Sequence, residues 1–129
     1  MGDDTQQPLA GTVLVADDED GIRDIACQIL ESKGYRVITA MDGQEALAQL
    51  EKYAGEIGCI VLDFAMPRMN GDQVLEEIIR RNLDIPVIFC SGSPVDDFKP
   101  TVDRARIRGF LRKPYAMGEL VSLIARSMK

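Results

Sequence analysis

Four short apolar runs in this chain are each followed, within one or two residues, by side chains that could do chemistry. These side chains are Asp17, Asp18, Glu19 and Asp20 after the first run, then Asp63, Ser91 and Lys113 after three later ones. Crowded carboxylates repel one another, and a hard divalent cation such as Mg²⁺ relieves that repulsion. A carboxylate beside such a cation can attack phosphorus and form an acyl phosphate. The cation, a lysine and a hydroxyl are suitable partners for the oxygens of a transferring phosphoryl group.

The runs that must position these side chains are short and rich in β-branched or aromatic residues, which predicts strands. They are TVLVA (12–16), YRVITA (35–40), CIVL (59–62), PVIFC (86–90) and IRGFL (107–111). Between and after them, apolar residues recur at helical spacing over 22–30, 46–54, 74–79 and 120–124. This alternation of strand and helix predicts an α/β domain with a parallel sheet covered by helices on both faces.

One segment breaks the alternation. A fourth helix is expected within residues 94–108, but Pro100 would fall in its interior, where proline costs roughly 3 kcal/mol. We therefore expect a short, kinked or partly unwound element there.

The sequence also predicts two helix ends. Asp42 and Glu45 predict a capped start to the second helix, and Gly34 predicts the end of the first.

Each candidate residue also has a purely structural interpretation. Acidic residues at 17–20 suit the N-terminus of a helix, Asp63 and Ser91 suit turns, and Lys113 suits a solvated surface. Ligands of open α/β sheets bind beyond the carboxyl ends of the strands. Because the four features follow the first, third, fourth and fifth strands of one predicted sheet, the functional interpretation is favoured.

Composition restricts the classes of function. A chain of 129 residues that is 46% hydrophobic and 28% charged is a single ordered domain, with residues 1–11 as a disordered lead-in. Its net charge of −6 argues against nucleic acid or a membrane surface as the main partner. Histidine is absent, which excludes a histidine triad, a histidine-ligated metal and a phosphohistidine on this chain.

The cysteines and the absence of a targeting segment indicate a compartment. Cys27, Cys59 and Cys90 are far apart in sequence, form no CxxC pair, and each lies in an apolar segment typical of a core thiol. Such unpaired cysteines suit a reducing environment. No apolar run reaches the length of a membrane span, and residues 1–11 lack the apolar stretch of a signal peptide. We therefore expect a cytoplasmic location.

Four motifs, in this order and spacing, resemble a bacterial response-regulator receiver domain. They are VLVADDED (13–20), VLDFAMPRMNG (61–71), VIFCSG (87–92) and GFLRKP (109–114). The resemblance covers about residues 11–128 and implies a receiver domain over 12–129. The implied fold is flavodoxin-like: a doubly wound parallel sheet of five strands in the order 2-1-3-4-5. The implied function is that of a two-component phosphorelay, in which the domain catalyses its own phosphorylation and dephosphorylation.

The resemblance also implies roles for individual residues. Asp63 would be the phosphoacceptor, and it would receive the phosphoryl group from a sensor histidine kinase or a histidine phosphotransfer domain. Asp18, Asp63 and the backbone carbonyl of Ala65 would ligate Mg²⁺ (or Mn²⁺), and Asp17 would act on the metal through water. Gly71, near the end of the same motif, looks like loop scaffolding with a backbone conformation closed to other residues.

The last two motifs supply the remaining roles. Ser91 and Lys113 would bind phosphoryl oxygens. Phe110 would be the switch aromatic, which turns inward when Ser91 is drawn to the phosphate; its alternative role is that of an ordinary core residue. The Lys113–Pro114 bond is often cis in such domains.

Three other classes of function fit the residues less well. A phosphate-independent, receiver-like binding module has no need of the complete set of acidic, hydroxyl and ammonium side chains. Phosphatases with an aspartate nucleophile resemble Asp-x-Asp, whereas Ala65 stands at the second position here. Flavin and dinucleotide binders place glycine or hydroxyl residues after the first strand, whereas the acidic loop of this chain would repel a phosphate.

The output of the domain stays open at the level of sequence. We expect no DNA-binding or catalytic effector domain after Met128, so that the chain either acts alone or is the receiver of a hybrid sensor histidine kinase. The opening GTVLVADDE and the irregular fourth helix favour the hybrid kinase. Four arginines could form either a solvated face, which we favour, or a partner-docking patch: Arg104, Arg106, Arg108 and Arg112.

Overall fold

A computed structural model describes residues 11–92 and 107–128 of the chain. The strands are β1 (Gly11–Ala16), β2 (Tyr35–Ala40), β3 (Ile57–Asp63), β4 (Val87–Ser91) and β5 (Ile107–Arg112). The helices are α1 (Asp20–Ser32), α2 (Gly43–Lys52), α3 (Gly71–Arg80) and α4 (Met117–Ser127). None of these helices is long and apolar enough to cross a membrane.

The five strands form one parallel sheet in the order β2-β1-β3-β4-β5, which confirms the predicted fold. β2 has its predicted bounds, and each of the other strands differs by one or two residues at one or both ends. Polar residues prolong three strands because ladder hydrogen bonds join backbone groups, whatever the side chain. Asp63 pairs with Cys90, and Ser91 pairs with Arg112. The carboxyl ends that carry the candidate residues therefore lie along one edge.

Two predicted segments extend beyond the described residues. The irregular element around Pro100 lies outside them, although residues 107 and 108 of that segment belong to β5. The predicted lead-in also lies outside, except that Gly11 already forms the first residue of β1. Of the four arginines considered as a patch, Arg108 and Arg112 are described, and both are exposed on β5.

The sheet is covered on both faces, and alternate residues of its strands enter separate cores. In β1, Leu14 and Ala16 pack with α2 and α3, whereas Val13 and Val15 pack with α1 and α4. This explains the nearly continuous apolar runs of the central strands, since side chains on either face are buried.

Two of the three cysteines lie in the core as the sequence predicts, and Cys27 does not. Cys59 and Cys90 are buried, and Cys27 is partly exposed. Burial raises the pKa of both Cys59 and Cys90 to about 12, so the neutral thiol is strongly favoured. These two residues therefore act as small core side chains.

Local signals at the helix ends are also confirmed. Asp42 precedes α2, and its side chain accepts a hydrogen bond from the Glu45 backbone N–H at 2.8 Å. Gly34 follows the end of α1 with a φ of 95°, a conformation that suits glycine at this position.

Gly71 is required for a reason other than the one expected. Its φ is not positive, so an unusual backbone conformation is not the cause. A Cβ atom there would lie 2.7 Å from the Asp63 carbonyl oxygen, 2.7 Å from Phe89 Cε1 and 2.9 Å from Phe64 Cα. The start of α3 therefore packs directly on the backbone that follows β3, and glycine provides the space.

This contact predicts a loss of stability in Gly71→Ala. The added methyl group meets backbone atoms that cannot move aside, and overpacking of this kind typically costs about 1–3 kcal/mol. Gly21→Ala is the matched control, since a Cβ there meets nothing within 4 Å. Urea unfolding should show a lower midpoint for Gly71→Ala and no loss for Gly21→Ala; equal midpoints would contradict the packing argument.

Candidate functional site

Asp17 and Asp18 leave β1 side by side but differ in exposure. The Asp17 backbone N–H donates to the Ala40 carbonyl at 3.0 Å, which extends the pairing of β1 with β2 by one residue. Asp17 is only 2% exposed, whereas Asp18 is exposed. Asp17 Oδ1 accepts a hydrogen bond from the Glu19 backbone N–H at 2.9 Å. One buried and one solvated carboxylate thus stand at the end of the strand.

Asp63 ends β3 and is 4% exposed. Burial raises the pKa of this carboxyl, and the negative charge of Asp17 raises it further. The ammonium of Lys113 lowers it, and the balance places the pKa at about 7 instead of the ordinary 3.8. The positive charge of Lys113 alone is therefore not enough to stabilise the ionised form of Asp63 fully.

Lys113 brings an ammonium to the same place. Its backbone N–H donates to the Ser91 carbonyl at 2.7 Å, and the peptide bond to Pro114 is cis, as expected. Its Nζ lies 2.8 Å from Asp17 Oδ2, 2.9 Å from Glu19 Oε1 and 3.3 Å from Asp63 Oδ2. Burial alone would lower the pKa of Lys113, but the carboxylates outweigh burial and raise it. The lysine is held charged among three acids.

The acidic pocket, defined here as Asp17, Asp18 and Asp63, has the donor set of a cation site. One carboxylate oxygen from each residue lies within 4.8 Å of the others. Among the described residues, the ion pairs of the pocket involve a single ammonium, that of Lys113. Three hard oxygen donors with incomplete charge compensation fit Mg²⁺, which binds few carboxylates and retains waters.

The other predicted residues lie at the same edge. Ser91 ends β4 half-buried, and Ala65 is exposed two residues after Asp63. Phe110 is half-buried in β5, with its ring stacked 6.4 Å from that of Phe89 at an interplanar angle of 16°. The structure therefore brings Asp17 and Asp63 into direct contact with Lys113, with Asp18 beside them, and places Ser91 and Ala65 at or just after the ends of adjoining strands.

Two contacts at this edge were not predicted. Glu19 belongs to the recognised acidic run, but its ion pair with Lys113 joins residues far apart in sequence. Tyr115 hydrogen-bonds to the Cys90 side chain, and burial together with this neighbour raises the pKa of the phenol. The position of Glu19 in the acidic run was a sign that it could contact Lys113. No feature of the sequence marked Tyr115, just after the Lys-Pro pair, as a partner of Cys90.

The sheet order and the acidic pocket together define a class: a flavodoxin-like domain with a carboxylate cluster and a lysine at the carboxyl edge of the sheet. The family model described as "Response regulator receiver domain" matches residues 13–125, so the chain belongs to that family. Receiver domains act in two-component signalling, bind Mg²⁺ at an acidic pocket, and interact with histidine kinases or phosphotransfer partners.

Individual relatives agree with this assignment. The chain is 36% identical over 115 residues to sensor kinase CckA of Brucella abortus, and the matched region covers 89% of this chain and 12% of that protein. It is 33% identical over 109 residues to response regulator SaeR of Staphylococcus aureus, and the matched region covers 84% of this chain and 46% of that protein. The chain thus spans less than half the length of these two relatives.

A solved structure gives the same result. One chain in the crystal structure of a CheX–CheY–BeF3–Mg²⁺ complex from Borrelia burgdorferi is similar, with a TM-score of 0.82 and 26% identity. The match covers 92% of this chain and 89% of that chain. The likeness therefore extends over nearly the whole domain.

Proposed function

We propose that Asp63 is the phosphoacceptor of this receiver domain and takes a phosphoryl group from a phosphohistidine on a partner protein. The observation that carries the proposal is the placement of buried Asp63 within reach of Lys113 Nζ and of two further carboxylates. We assign Mg²⁺ binding to Asp18, Asp63 and the Ala65 backbone carbonyl, with Asp17 acting through water. The fit of the acidic pocket to a hard cation supports this assignment.

The transfer step uses groups of this chain. A carboxylate oxygen of Asp63 forms the new O–P bond while the N–P bond of the partner's phosphohistidine breaks, and the electron pair of that bond returns to the imidazole nitrogen. Lys113 places its ammonium against the phosphoryl oxygens, and the Ser91 hydroxyl donates to one of them. When bound, Mg²⁺ supplies positive charge to those oxygens.

The same groups connect phosphorylation to a surface. A phosphoryl group on Asp63 draws the Ser91 hydroxyl toward it, and the Phe110 ring moves inward into the space released. The half-buried position of Phe110 next to β4 supports this path. The acyl phosphate thereby shifts an equilibrium between two states of a protein-interaction surface.

The donor is proposed to be a sensor histidine kinase or a histidine phosphotransfer domain in the cytoplasm. Since this chain has no histidine, the phosphohistidine must come from another domain or polypeptide. A phosphate-independent binding module is not favoured, because such a module would bury Asp63 beside Asp17 at a cost in free energy and without a use.

Phosphoryl uptake tests the proposal directly. The chain, incubated with acetyl phosphate and Mg²⁺, should gain the mass of one phosphoryl group in intact-mass spectrometry, and peptide mapping should locate it on Asp63. Chelation of the metal before the donor is added should prevent the gain. Uptake that is indifferent to chelation, or that maps to another residue, would contradict the proposed site.

A further inference from the structure

The loop between β3 and α3 contains a strained turn. Arg68 has a φ of 67°, and the Met69 backbone N–H donates to the Pro67 carbonyl at 2.7 Å. A hydrogen bond from residue i+2 to residue i, with positive φ between them, defines a γ-turn, which is rare and strained for residues other than glycine. Such strain persists only where the surroundings hold it in place.

The side chain of Arg68 provides one such restraint. Its Nη1 donates to Asp42 Oδ2 at 2.9 Å, across 26 positions of the sequence. Asp42 is 5% exposed, and its other oxygen caps α2 through the Glu45 backbone N–H. The Arg68 side chain is 66% exposed, but it donates to a buried carboxylate that is already fixed by a helix end, so the pair has a defined geometry.

Packing beside the ion pair is tight. A Cβ atom on Gly43 would lie 2.1 Å from the Met69 carbonyl oxygen. The start of α2 and the apex of the loop are therefore in backbone contact. A small shift of the loop changes this contact directly, because no side chain lies between the two segments.

The base of the loop is fixed by the main chain. The Phe64 N–H donates to the Cys90 carbonyl at 2.8 Å, and the Phe64 carbonyl accepts from the Gly71 N–H at 2.8 Å. Ala65 lies between this base and the apex at Arg68. The bonds at the base join main-chain atoms, whereas the restraint at the apex depends on two particular side chains.

We propose that the Asp42–Arg68 ion pair sets the divalent-cation affinity of the acidic pocket, by holding the loop that presents the Ala65 carbonyl. Asp42 and Arg68 are positioning residues that act through this loop. The inference rests on the proposed function, because the Ala65 carbonyl matters only if the pocket holds the metal. Without the ion pair, the apex of the loop is no longer tied to the start of α2, and the Ala65 carbonyl is no longer held in the position that suits the cation.

The test measures Mg²⁺ affinity by isothermal titration calorimetry on the full chain, with Arg68→Gly, Asp42→Asn and the double variant. Asparagine keeps the cap on α2, and glycine accepts the positive φ without strain. Each single variant should weaken the Kd about tenfold, as is common when an outer residue that orients a ligand is lost. The double variant should be no weaker than the weaker single variant, because the residues act as one pair.

Two controls separate positioning from general damage. Arg36→Ala removes an exposed ion pair with Glu56 and should leave the Kd unchanged. The melting temperature of Arg68→Gly without metal should not fall, because strain relief offsets the lost pair. Arg68→Lys should recover part of the affinity, and amide exchange at Met69 should be faster in Arg68→Gly even without metal.

The outcomes distinguish the inference from the proposed function. Wild-type affinity in Arg68→Gly and Asp42→Asn, or losses that add in the double variant, would overturn the role of the ion pair and leave the metal site intact. A wild-type chain that binds no Mg²⁺, or binds it equally well after Asp18→Asn, would overturn the metal site and this inference with it.

Discussion

Asp63→Asn should abolish phosphoryl uptake and, in the absence of metal, make the protein more stable. Uptake should fall by at least roughly a hundredfold, because the amide is no nucleophile toward phosphorus. Stability should rise because the ionised carboxylate is buried beside Asp17, which lifts its pKa to about 7. Removing that charge should increase the free energy of unfolding by about 1–3 kcal/mol, or several degrees in Tm.

The gain in stability should depend on pH in a defined direction. The folded-state pKa of Asp63 is raised above its ordinary 3.8, so the folded protein holds this proton up to about pH 7 while the unfolded chain releases it. Wild-type stability therefore falls between about pH 4 and pH 7, and the advantage of Asp63→Asn grows over that range.

Thermal denaturation with a chelator, at pH 5 and pH 8, checks this prediction. The difference in Tm between Asp63→Asn and wild type should be larger at pH 8. The matched control is Asp24→Asn on the exposed side of α1, which should change neither Tm nor phosphoryl uptake. A Tm for Asp63→Asn below that of wild type at pH 8 would contradict the electrostatic argument.

The fold and the pocket were predictable because their signals are local. Strand-length apolar runs separated by helical spacing determine a parallel sheet, and a residue directly after such a strand must lie at its carboxyl edge. Asp17, Asp18, Asp63 and Lys113 were found in this way. Their contacts follow from the strand order, since β1 and β3 are neighbours and β5 is two strands further along.

Contacts made by loops were not predictable from the same signals. The Asp42–Arg68 pair and the Lys113–Glu19 pair join residues with no periodic relation, and their geometry depends on loop conformation. The positive φ of Arg68 was not predictable either, because arginine rarely adopts this backbone conformation by local preference. Gly71 shows a similar limit: the need for glycine was visible, but its cause is the approach of three neighbours in space.

Lys113→Met should slow phosphoryl uptake and tighten Mg²⁺ binding at the same time. The ammonium lies 2.8 Å from Asp17 Oδ2 and 3.3 Å from Asp63 Oδ2, where we expect it to supply charge to a phosphoryl group and also to compete with the cation. Losing a preorganised donor to phosphoryl oxygens should reduce the uptake rate by about a hundredfold or more. Losing a positive charge at this distance should strengthen cation binding several-fold.

Opposite changes in rate and affinity distinguish this role from a structural one. A variant that is merely misfolded would lose both properties, whereas methionine keeps most of the length and apolar volume of the lysine stem. Lys33→Met, at an exposed position after α1, is the matched control and should change neither quantity. Uptake followed by intact mass, with Kd from calorimetry, gives both values on the same samples. If Lys113→Met weakens Mg²⁺ binding while its melting temperature stays high, the lysine does not compete with the cation, and its charge must then act by holding Asp17 and Asp63 in position for the metal.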